Sequence, residues 1–252
     1  MKKNKILVLG DSFTYGHGCS DRIYYYDEDL KRYVGNFFEY PNHPPSKHCW
    51  ASLLQEDNPE YVVENISRPG NSNISMFGNL LQYAYSGRCA DVCAIIFSAT
   101  FVDRIEIASL QNSENTAPWI VNWYPKEVKE PDDYYKAKEL YSKHLYNGQV
   151  GLHMTLASLM AAHQYAITRD IDFYWTIPKN GIPRGIDRTL GIMDALKFPH
   201  IHSYDFLHNA EQNLKCLAKD THTNELGHKI YYYREIIPVM KKIKEKCDAK
   251  LV

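Results

Sequence analysis

Short apolar runs alternate with longer amphipathic stretches along this chain. The apolar runs have strand length and would be buried on both faces, so each predicts a β-strand inside a sheet. They lie at residues 5–9, 61–66, 91–98 and 171–177, with a shorter fifth run at 200–204. Helical patterns separate them, at residues 50–55, 72–85, 132–170 (with a break near Asn147) and 225–246. This alternation predicts a three-layer α/β/α fold around a parallel sheet of about five strands.

Two segments do not follow the alternation. Residues 20–48 are aromatic and charged, and residues 102–131 carry Trp119 and Trp123 without a clear period. Connections of this length in a compact domain are usually functional, so we expect lid or rim insertions there. No repeat, low-complexity tract or linker divides the remaining sequence. Residues 1–252 are therefore predicted to form a single domain.

Composition and charge narrow the class of protein. The chain is 44% hydrophobic with a net charge of −1 and no basic block, which disfavours nucleic-acid binding. Its apolar runs are too short for a signal peptide or a membrane span. The six cysteines form no CxxC pair and suit reduced thiols. We expect a cytoplasmic protein with no membrane partner, or a phage-encoded one released on lysis, and leave the oligomeric state open.

The first strand ends in the turn Gly10-Asp11-Ser12, which is followed by Gly16 and Gly18. Open α/β sheets bind ligands at the carboxyl ends of their strands, so Ser12 stands where a nucleophile would be useful. Backbone N–H groups of such a turn can stabilise an oxyanion. The stretch GDSFTYGHG contains neither the GxGxxG of a dinucleotide site nor the Gly-Lys-Ser/Thr of a phosphate loop. A nucleophile turn and a plain glycine-rich turn both stay open at this point.

A nucleophilic serine requires a general base and a group that orients the base. Asp220 and His222 lie two residues apart in the stretch DTHTNELGH, just before the last predicted helix. Of the other histidines, His228 is expected to pack in that helix or to lie at the surface rather than to catalyse, and His17 could equally line a pocket or face water. No metal site is predicted, because this cluster lacks an i, i+4 histidine pair and a third ligand.

Together these motifs resemble the blocks of the SGNH hydrolase superfamily, the GDSL-type esterases and lipases. The first block, a strand with Gly-Asp-Ser, matches residues 7–12, and the last block matches residues 220–228. The second block, a turn with a glycine, matches residues 65–72. The blocks follow in the family's order across essentially the whole chain. The resemblance implies a flavodoxin-like fold of the SGNH hydrolase type and an esterase that needs no cofactor.

The resemblance also implies roles for individual residues. Ser12 would be the nucleophile, His222 the general base and then acid, and Asp220 the residue that orients the imidazole. The backbone N–H groups of Ser12 and Gly70 would form the oxyanion hole. The spacing from Asp220 to His222 is one residue shorter than the commonest form in the family.

The third block departs from the family pattern. Instead of Gly-x-Asn-Asp, residues 97–104 read FSATFVDR, so the asparagine that usually completes the oxyanion hole is missing. Thr100 could replace it through its hydroxyl, as could Asn71 or Asn73 of the second block through their amides. Arg104 is expected in a local ion pair rather than as a substrate clamp. The candidate substrate-binding residues are Asp11, Asn71, Asn73 and Arg104.

These inferences predict a serine hydrolase that cleaves an ester of a small molecule or carbohydrate, such as an O-acetyl group. Catalysis would pass through an acyl-enzyme on Ser12. The alternative is a protein that keeps the fold but uses a degenerate site to bind a glycan or a protein partner. A nucleotide-binding Rossmann protein is a third, less favoured reading, since its fingerprint is absent.

Overall fold

Strands and helices alternate in the part of the chain that the computed structural model describes. That part comprises residues 3–22, 24–27, 29–35, 44–101, 104–107, 119–121, 140, 148–176, 214–218 and 222–249. The strands are β1 (Lys5–Leu9), β2 (Tyr24–Asp27), β3 (Arg32–Gly35), β4 (Val62–Asn65), β5 (Val92–Ser98), β6 (Ile105–Ile107), β7 (Trp119–Val121) and β8 (Asp172–Thr176). The helices are α1 (Ser12–Tyr15), α2 (Trp50–Asp57), α3 (Asn73–Tyr85), α4 (Gly148–Ile167), α5 (Glu225–Tyr231) and α6 (Ile237–Ala249).

Four strands form a parallel sheet in the order β4-β1-β5-β8. In its register Leu7 pairs with Glu64 and Ile95, and Phe97 pairs with Trp175. The four longer apolar runs therefore form one parallel sheet, as predicted, and each strand ends within one residue of its predicted bounds. The predicted fifth strand at 200–204 lies outside the described residues.

The two faces of the sheet are covered by different helices. Alternate side chains of a strand point to opposite faces, so one apolar run can serve two cores. Leu7 and Ile95 face α3 and α4, whereas Ile6 and Ile96 face α2 and the C-terminal helices. This burial on both faces explains why the runs are continuously apolar rather than alternating.

Two antiparallel hairpins lie in the segments that did not follow the alternation. β2 pairs with β3 inside the predicted rim segment 20–48, and β6 pairs with β7 inside 102–131. Most of the second segment, and the predicted helical residues before Gly148 apart from residue 140, lie outside the described residues. A lid or rim role for both segments stays a prediction.

The C-terminal helix differs from the single uninterrupted helix predicted at 225–246. Asn224 caps its start by accepting hydrogen bonds from the backbone N–H groups of Leu226 and Gly227. A π-helical segment, Tyr232–Ile236, separates α5 from α6. Such a segment holds an extra residue per turn and changes which side chains face inward.

The cysteines were expected to be reduced thiols. All six cysteines are free, and burial raises the pKa of both Cys19 and Cys93 to about 12. Thiols with such pKa values stay protonated near neutral pH and react slowly.

None of the helices in the described residues combines the length and the apolar character needed to cross a membrane.

His228 joins α5 to α2 inside the core. Its side chain is fully buried, and its Nδ1 accepts a hydrogen bond from the backbone N–H of Trp50 at 3.3 Å. Burial is the main cause that lowers the pKa of His228 to about 3; Glu225 opposes the shift and His222 adds to it. The expectation that His228 packs in the helix rather than catalyses agrees with this position.

The buried His228 is expected to make the protein less stable in acid. In the unfolded chain its pKa is about 6.5, so between about pH 6.5 and pH 3 the unfolded state binds a proton that the folded state does not. The free energy of unfolding should therefore fall as pH is lowered through that range, by about 1 kcal/mol per pH unit. Urea unfolding at several pH values measures this slope.

The control is His228→Asn, which keeps an acceptor near the Nδ1 position but does not titrate. The free energy of unfolding of this variant should change less with pH than that of the wild type over the same range, whatever the variant's absolute stability. Equal slopes in the two proteins would show that other groups cause the acid sensitivity.

Candidate active site

Ser12 follows the carboxyl end of β1 and is the first residue of α1. β1 neighbours β5 in the sheet, but α2, which lies between β1 and β4 in the chain, and α4, which lies between β5 and β8, pack on opposite faces. Open α/β sheets bind their ligands in the crevice at such a point. The topology thus places Ser12 at the position in the fold where a ligand is expected.

Local sequence shapes the turn that presents Ser12. A Cβ on Gly10 would lie 2.2 Å from Thr14 Oγ1, so only glycine lets the short helix fold back against the strand end. Asp11 caps that helix through its side chain, which accepts a backbone N–H of the first turn at 3.0 Å. Gly16 ends the helix with a φ of 86°, a conformation that favours glycine. Ser12 is held in a buried position between these constraints.

His222 is brought to Ser12 from the other end of the chain. Its Nε2 lies 3.2 Å from Ser12 Oγ, although the two residues are 210 positions apart. This separation is within the roughly 2.6–3.2 Å over which a base can accept a proton. Two rings that follow Ser12 in the chain contact the His222 imidazole: the ring centroids are 5.2 Å apart for Phe13 and 4.2 Å apart for His17. Asp220 lies outside the described residues, so its predicted orienting role stays a prediction.

Hydrogen bonds to the preceding turn hold the His222 segment. The His222 carbonyl accepts a bond from the Ala218 N–H at 2.8 Å, and the Asn224 N–H donates to the Cys216 carbonyl at 2.9 Å. The Asn224 side chain also donates to the Lys215 carbonyl at 2.6 Å while it caps α5. The asparagine that follows the histidine in this motif therefore has a structural task, which is to tie the His222 segment to the start of α5.

Gly18, a few residues after Ser12, lies directly against His222 and Thr223. A Cβ on Gly18 would lie 2.8 Å from both His222 Cβ and the Thr223 carbonyl oxygen, and its φ of 101° also favours glycine. Nearby, the Ser20 N–H donates to Glu225 Oε1 at 2.6 Å. Burial alone would raise the pKa of Glu225, but the hydrogen bonds from Ser20, together with the backbone N–H of Glu225 and the nearby His48, outweigh burial and lower that pKa. These contacts hold the His222 segment against the turn that carries Ser12.

A buried ion pair lies immediately before Ser12. Asp11 Oδ2 is 2.9 Å from Arg104 Nη1 and accepts a hydrogen bond from Thr100 Oγ1 at 2.6 Å. Arg104 also donates to the Asn71 carbonyl at 3.2 Å. The Arg104 and Asp11 side chains are only 8% and 5% exposed, so the charges depend on each other and on these hydrogen bonds. Arg104 was expected in a local ion pair, whereas its partner among the described residues is Asp11, the residue next to Ser12.

Three asparagines connect the loops around the site. Asn71 Nδ2 donates to the Gly10 carbonyl at 2.9 Å, and Asn65 Nδ2 donates to the Thr14 carbonyl at 3.1 Å. Asn73 accepts the Thr100 N–H at 2.8 Å and donates to a threonine hydroxyl of α4 at 2.9 Å. Their amide groups thus hold backbone and neighbouring elements in place.

The predicted substrate-binding residues lie around Ser12, but their polar groups already form hydrogen bonds or ion pairs within the protein. The Thr100 hydroxyl has a single proton and donates it to Asp11, so an oxyanion role for Thr100 would require that bond to break. By contrast, the N–H groups of Ser12 and Gly70 donate in no hydrogen bond between described residues. Gly70 has a φ of 80°, as its turn requires. The predicted site roles of all these residues stay predictions.

Sequence reasoning missed three contacts that shape the site. The contact of Gly18 with His222, the bond from Ser20 to Glu225 and the bond from Asn65 to Thr14 join segments far apart in the chain. A glycine with positive φ was foreseeable in a glycine-rich turn, but its neighbour was not. Among the described residues, no group of three or more His, Cys, Asp or Glu is arranged to hold a metal ion.

The sequence matches no protein-family model and no curated protein, whereas solved structures do match. A carbohydrate esterase whose active site displays divergent catalytic and non-catalytic binding functions aligns with a TM-score of 0.54 and 10% identity, over 96% of this chain and 66% of that one. An alpha/beta hydrolase enzyme from the metagenome of Lake Arreo, Spain, has a TM-score of 0.50 and 13% identity, over 91% of each chain. A member of the lipolytic protein G-D-S-L family from Veillonella parvula DSM 2008 has a TM-score of 0.49 and 13% identity, over 91% of this chain and 94% of that one.

These likenesses concern the fold. The chain has an α/β fold with helices on both faces of a four-stranded parallel sheet, which confirms the α/β fold class predicted from its sequence. Identities of 10 to 13% do not carry an activity from one protein to another, since one fold hosts many functions. The function must therefore be argued from the site.

Proposed function

We propose that this protein is a serine hydrolase that cleaves a carboxylic ester through an acyl-enzyme on Ser12. The observation that carries the proposal is the 3.2 Å separation between Ser12 Oγ and His222 Nε2 at the carboxyl end of the sheet. A serine hydroxyl is a weak nucleophile unless an adjacent base takes its proton, and this pair supplies both groups.

In the proposed reaction, Ser12 Oγ attacks the ester carbonyl carbon while its proton passes to His222 Nε2. The tetrahedral intermediate collapses as the alcohol leaves with the proton from His222, and the acyl group stays on Ser12. Water then attacks the acyl carbon as His222 takes its proton, and this second intermediate collapses as Ser12 Oγ leaves, takes the proton back from His222 and frees the acid. Asp220 would orient the imidazole and stabilise its positive charge. No cofactor takes part.

The proposed oxyanion hole consists of the backbone N–H groups of Ser12 and Gly70. Both belong to turns that the Asn71 side chain ties together through its bond to the Gly10 carbonyl. The usual third donor, an asparagine, is absent, and Thr100 donates to Asp11 instead. Losing one such donor costs about 3–4 kcal/mol of transition-state stabilisation in other hydrolases. We therefore expect slower turnover than in a site with three donors.

The substrate we propose is an ester of a small molecule or carbohydrate. The aromatic segments 20–48 and 102–131 would form the rim of its cleft, and one similar structure is that of a carbohydrate esterase. We propose a single cytoplasmic domain that acts without nucleic acid or membrane.

A binding function is the second candidate, and the third block favours it. With its asparagine missing and Thr100 and Asn73 engaged in holding the loops, the site could have lost turnover and kept recognition of a glycan or a protein. Such a protein would keep its fold and its ligand after substitution of Ser12 or His222.

Two assays decide between these candidates. The hydrolase should release p-nitrophenol from p-nitrophenyl acetate, with a burst if deacylation is slow, and should be labelled covalently by a fluorophosphonate. Mass spectrometry of the labelled peptide should place the adduct on Ser12. A folded protein that neither hydrolyses the ester nor labels would favour the binding function.

Gly18→Ala is expected to lower kcat for the ester by about tenfold or more, because the new methyl group must displace the His222 segment. The positive φ should also cost about 1–3 kcal/mol in the free energy of unfolding. Steady-state kinetics and urea unfolding measure the two effects.

Gly78→Ala is the matched control for this substitution. A Cβ at Gly78 meets no atom within 4 Å, and the residue lies inside α3. Alanine there should leave kcat unchanged and raise the free energy of unfolding by about 0.5–1 kcal/mol. If both variants keep the wild-type kcat, contact at Gly18 does not set the geometry of the site.

A further inference from the structure

His17 connects the nucleophile and the base through two different parts of one residue. Its backbone N–H donates to the Ser12 carbonyl oxygen at 2.9 Å. Its imidazole lies parallel to that of His222, with ring centroids 4.2 Å apart and an angle of 14° between the planes. No other described ring contacts His222 face to face, since Phe13 is tilted by 40° at 5.2 Å.

A stacked ring limits the rotation of its neighbour. For proton transfer, the His222 ring must turn Nε2 toward Ser12 Oγ, and rotation about the bond to the ring would move that nitrogen away. A parallel aromatic surface at van der Waals distance resists this rotation. The hydrogen bond from the His17 backbone N–H to the Ser12 carbonyl holds the His17 backbone, from which the stacked ring projects, next to Ser12.

We propose that His17 is a positioning residue for His222, a role that rests on the proposed hydrolase function. Its ring keeps the His222 imidazole in the plane from which Nε2 accepts the Ser12 proton. What matters is the flat aromatic surface, so a different ring of similar size should replace it. An aliphatic side chain should not.

The variants separate the ring from its polar atoms. His17→Phe keeps a flat ring, and His17→Leu removes the ring while keeping a comparable volume. With p-nitrophenyl acetate, His17→Leu should lower kcat by about tenfold with KM within about twofold, because misorientation affects the chemical step. His17→Phe should restore kcat to within about threefold of the wild type. Should His17→Leu not fold, His17→Gln, which also lacks an aromatic ring, takes its place.

A spectroscopic measurement tests the stack without relying on activity. In ¹H–¹³C correlation spectra of histidine-labelled protein, the His222 signal is identified by its loss in His222→Gln. Ring current from His17 should shift this signal upfield in the wild type, and His17→Phe should keep an upfield shift. In His17→Leu the signal should move toward that of an unstacked histidine, while the other histidine signals report that the fold is intact.

The outcomes are distinct. Loss of kcat and of the upfield shift in His17→Leu, with both restored by phenylalanine, supports the positioning role. An unchanged His222 signal, or equal losses of kcat in the leucine and phenylalanine variants, overturns it. A wild type that shows the shift but neither hydrolyses the ester nor labels rejects the hydrolase function, and the stack is then only a structural contact.

Discussion

Ser12→Ala is expected to abolish hydrolysis of p-nitrophenyl acetate and fluorophosphonate labelling together. The rate should fall by about 10⁴-fold or more, to the level that the remaining groups of such a site provide. The physical reason is that Ser12 Oγ is the hydroxyl that lies 3.2 Å from His222 Nε2, so the substitution removes the group that this base would activate. Purified variants of equal stability, assayed side by side with the wild type, give the ratio.

His222→Gln should cause a loss of similar size, since serine without its base is not activated. The double variant should lose little more than either single variant, because residues that act as one unit have strongly non-additive effects. The matched control is Ser86→Ala, an exposed serine just after α3, which should keep full activity. Residual labelling of Ser12→Ala would place the reactive serine elsewhere and contradict the proposed mechanism.

Arg104→Met is expected to destabilise the fold more than any other substitution considered. It leaves the Asp11 carboxylate buried without its cation, beside Thr100. Breaking a buried pair by removing one partner typically costs about 3–5 kcal/mol in the free energy of unfolding. Urea unfolding of the variant measures the loss. Because Asp11 precedes Ser12 and caps α1, activity should fall as well.

Two further variants control for this result. Asp11→Asn combined with Arg104→Met removes both charges and should recover part of the lost stability, since no uncompensated charge remains. Lys244→Met breaks an exposed pair, in which Lys244 Nζ lies 2.8 Å from Glu60 Oε1, and should cost at most about 1 kcal/mol. Similar losses for Arg104→Met and Lys244→Met would mean that the pair at Asp11 is not effectively buried.

The strands of the central sheet were predictable because their signal is local. A strand buried on both faces needs a continuous apolar run, and β1, β5 and β8 carry such runs between polar turns. The C-terminal helix was predictable as a helix, but its π-helical segment was not. That irregularity depends on how α5 and α6 pack against α2 and the sheet, which periodicity does not encode.

The candidate site divides in the same way. The turn around Ser12 could be inferred from Gly10, Asp11 and Ser12 at the end of an apolar run, and His222 from its motif before a helix. The partner of Arg104 was expected among its near neighbours in the chain, whereas the structure pairs it with Asp11. An ion pair forms between groups that the fold desolvates together, and sequence distance does not report that.

By itself, then, the sequence determined the four strands of the parallel sheet, the turn that carries Ser12 and the segment that carries His222. Each of these depends on short-range rules of periodicity, turn conformation and capping. Only the tertiary structure decided that Gly18 contacts His222, that His17 stacks on it and that Thr100 donates to Asp11. These contacts join positions about 90 to 200 residues apart, and they arise because the carboxyl ends of parallel strands bring their loops to one edge of the sheet.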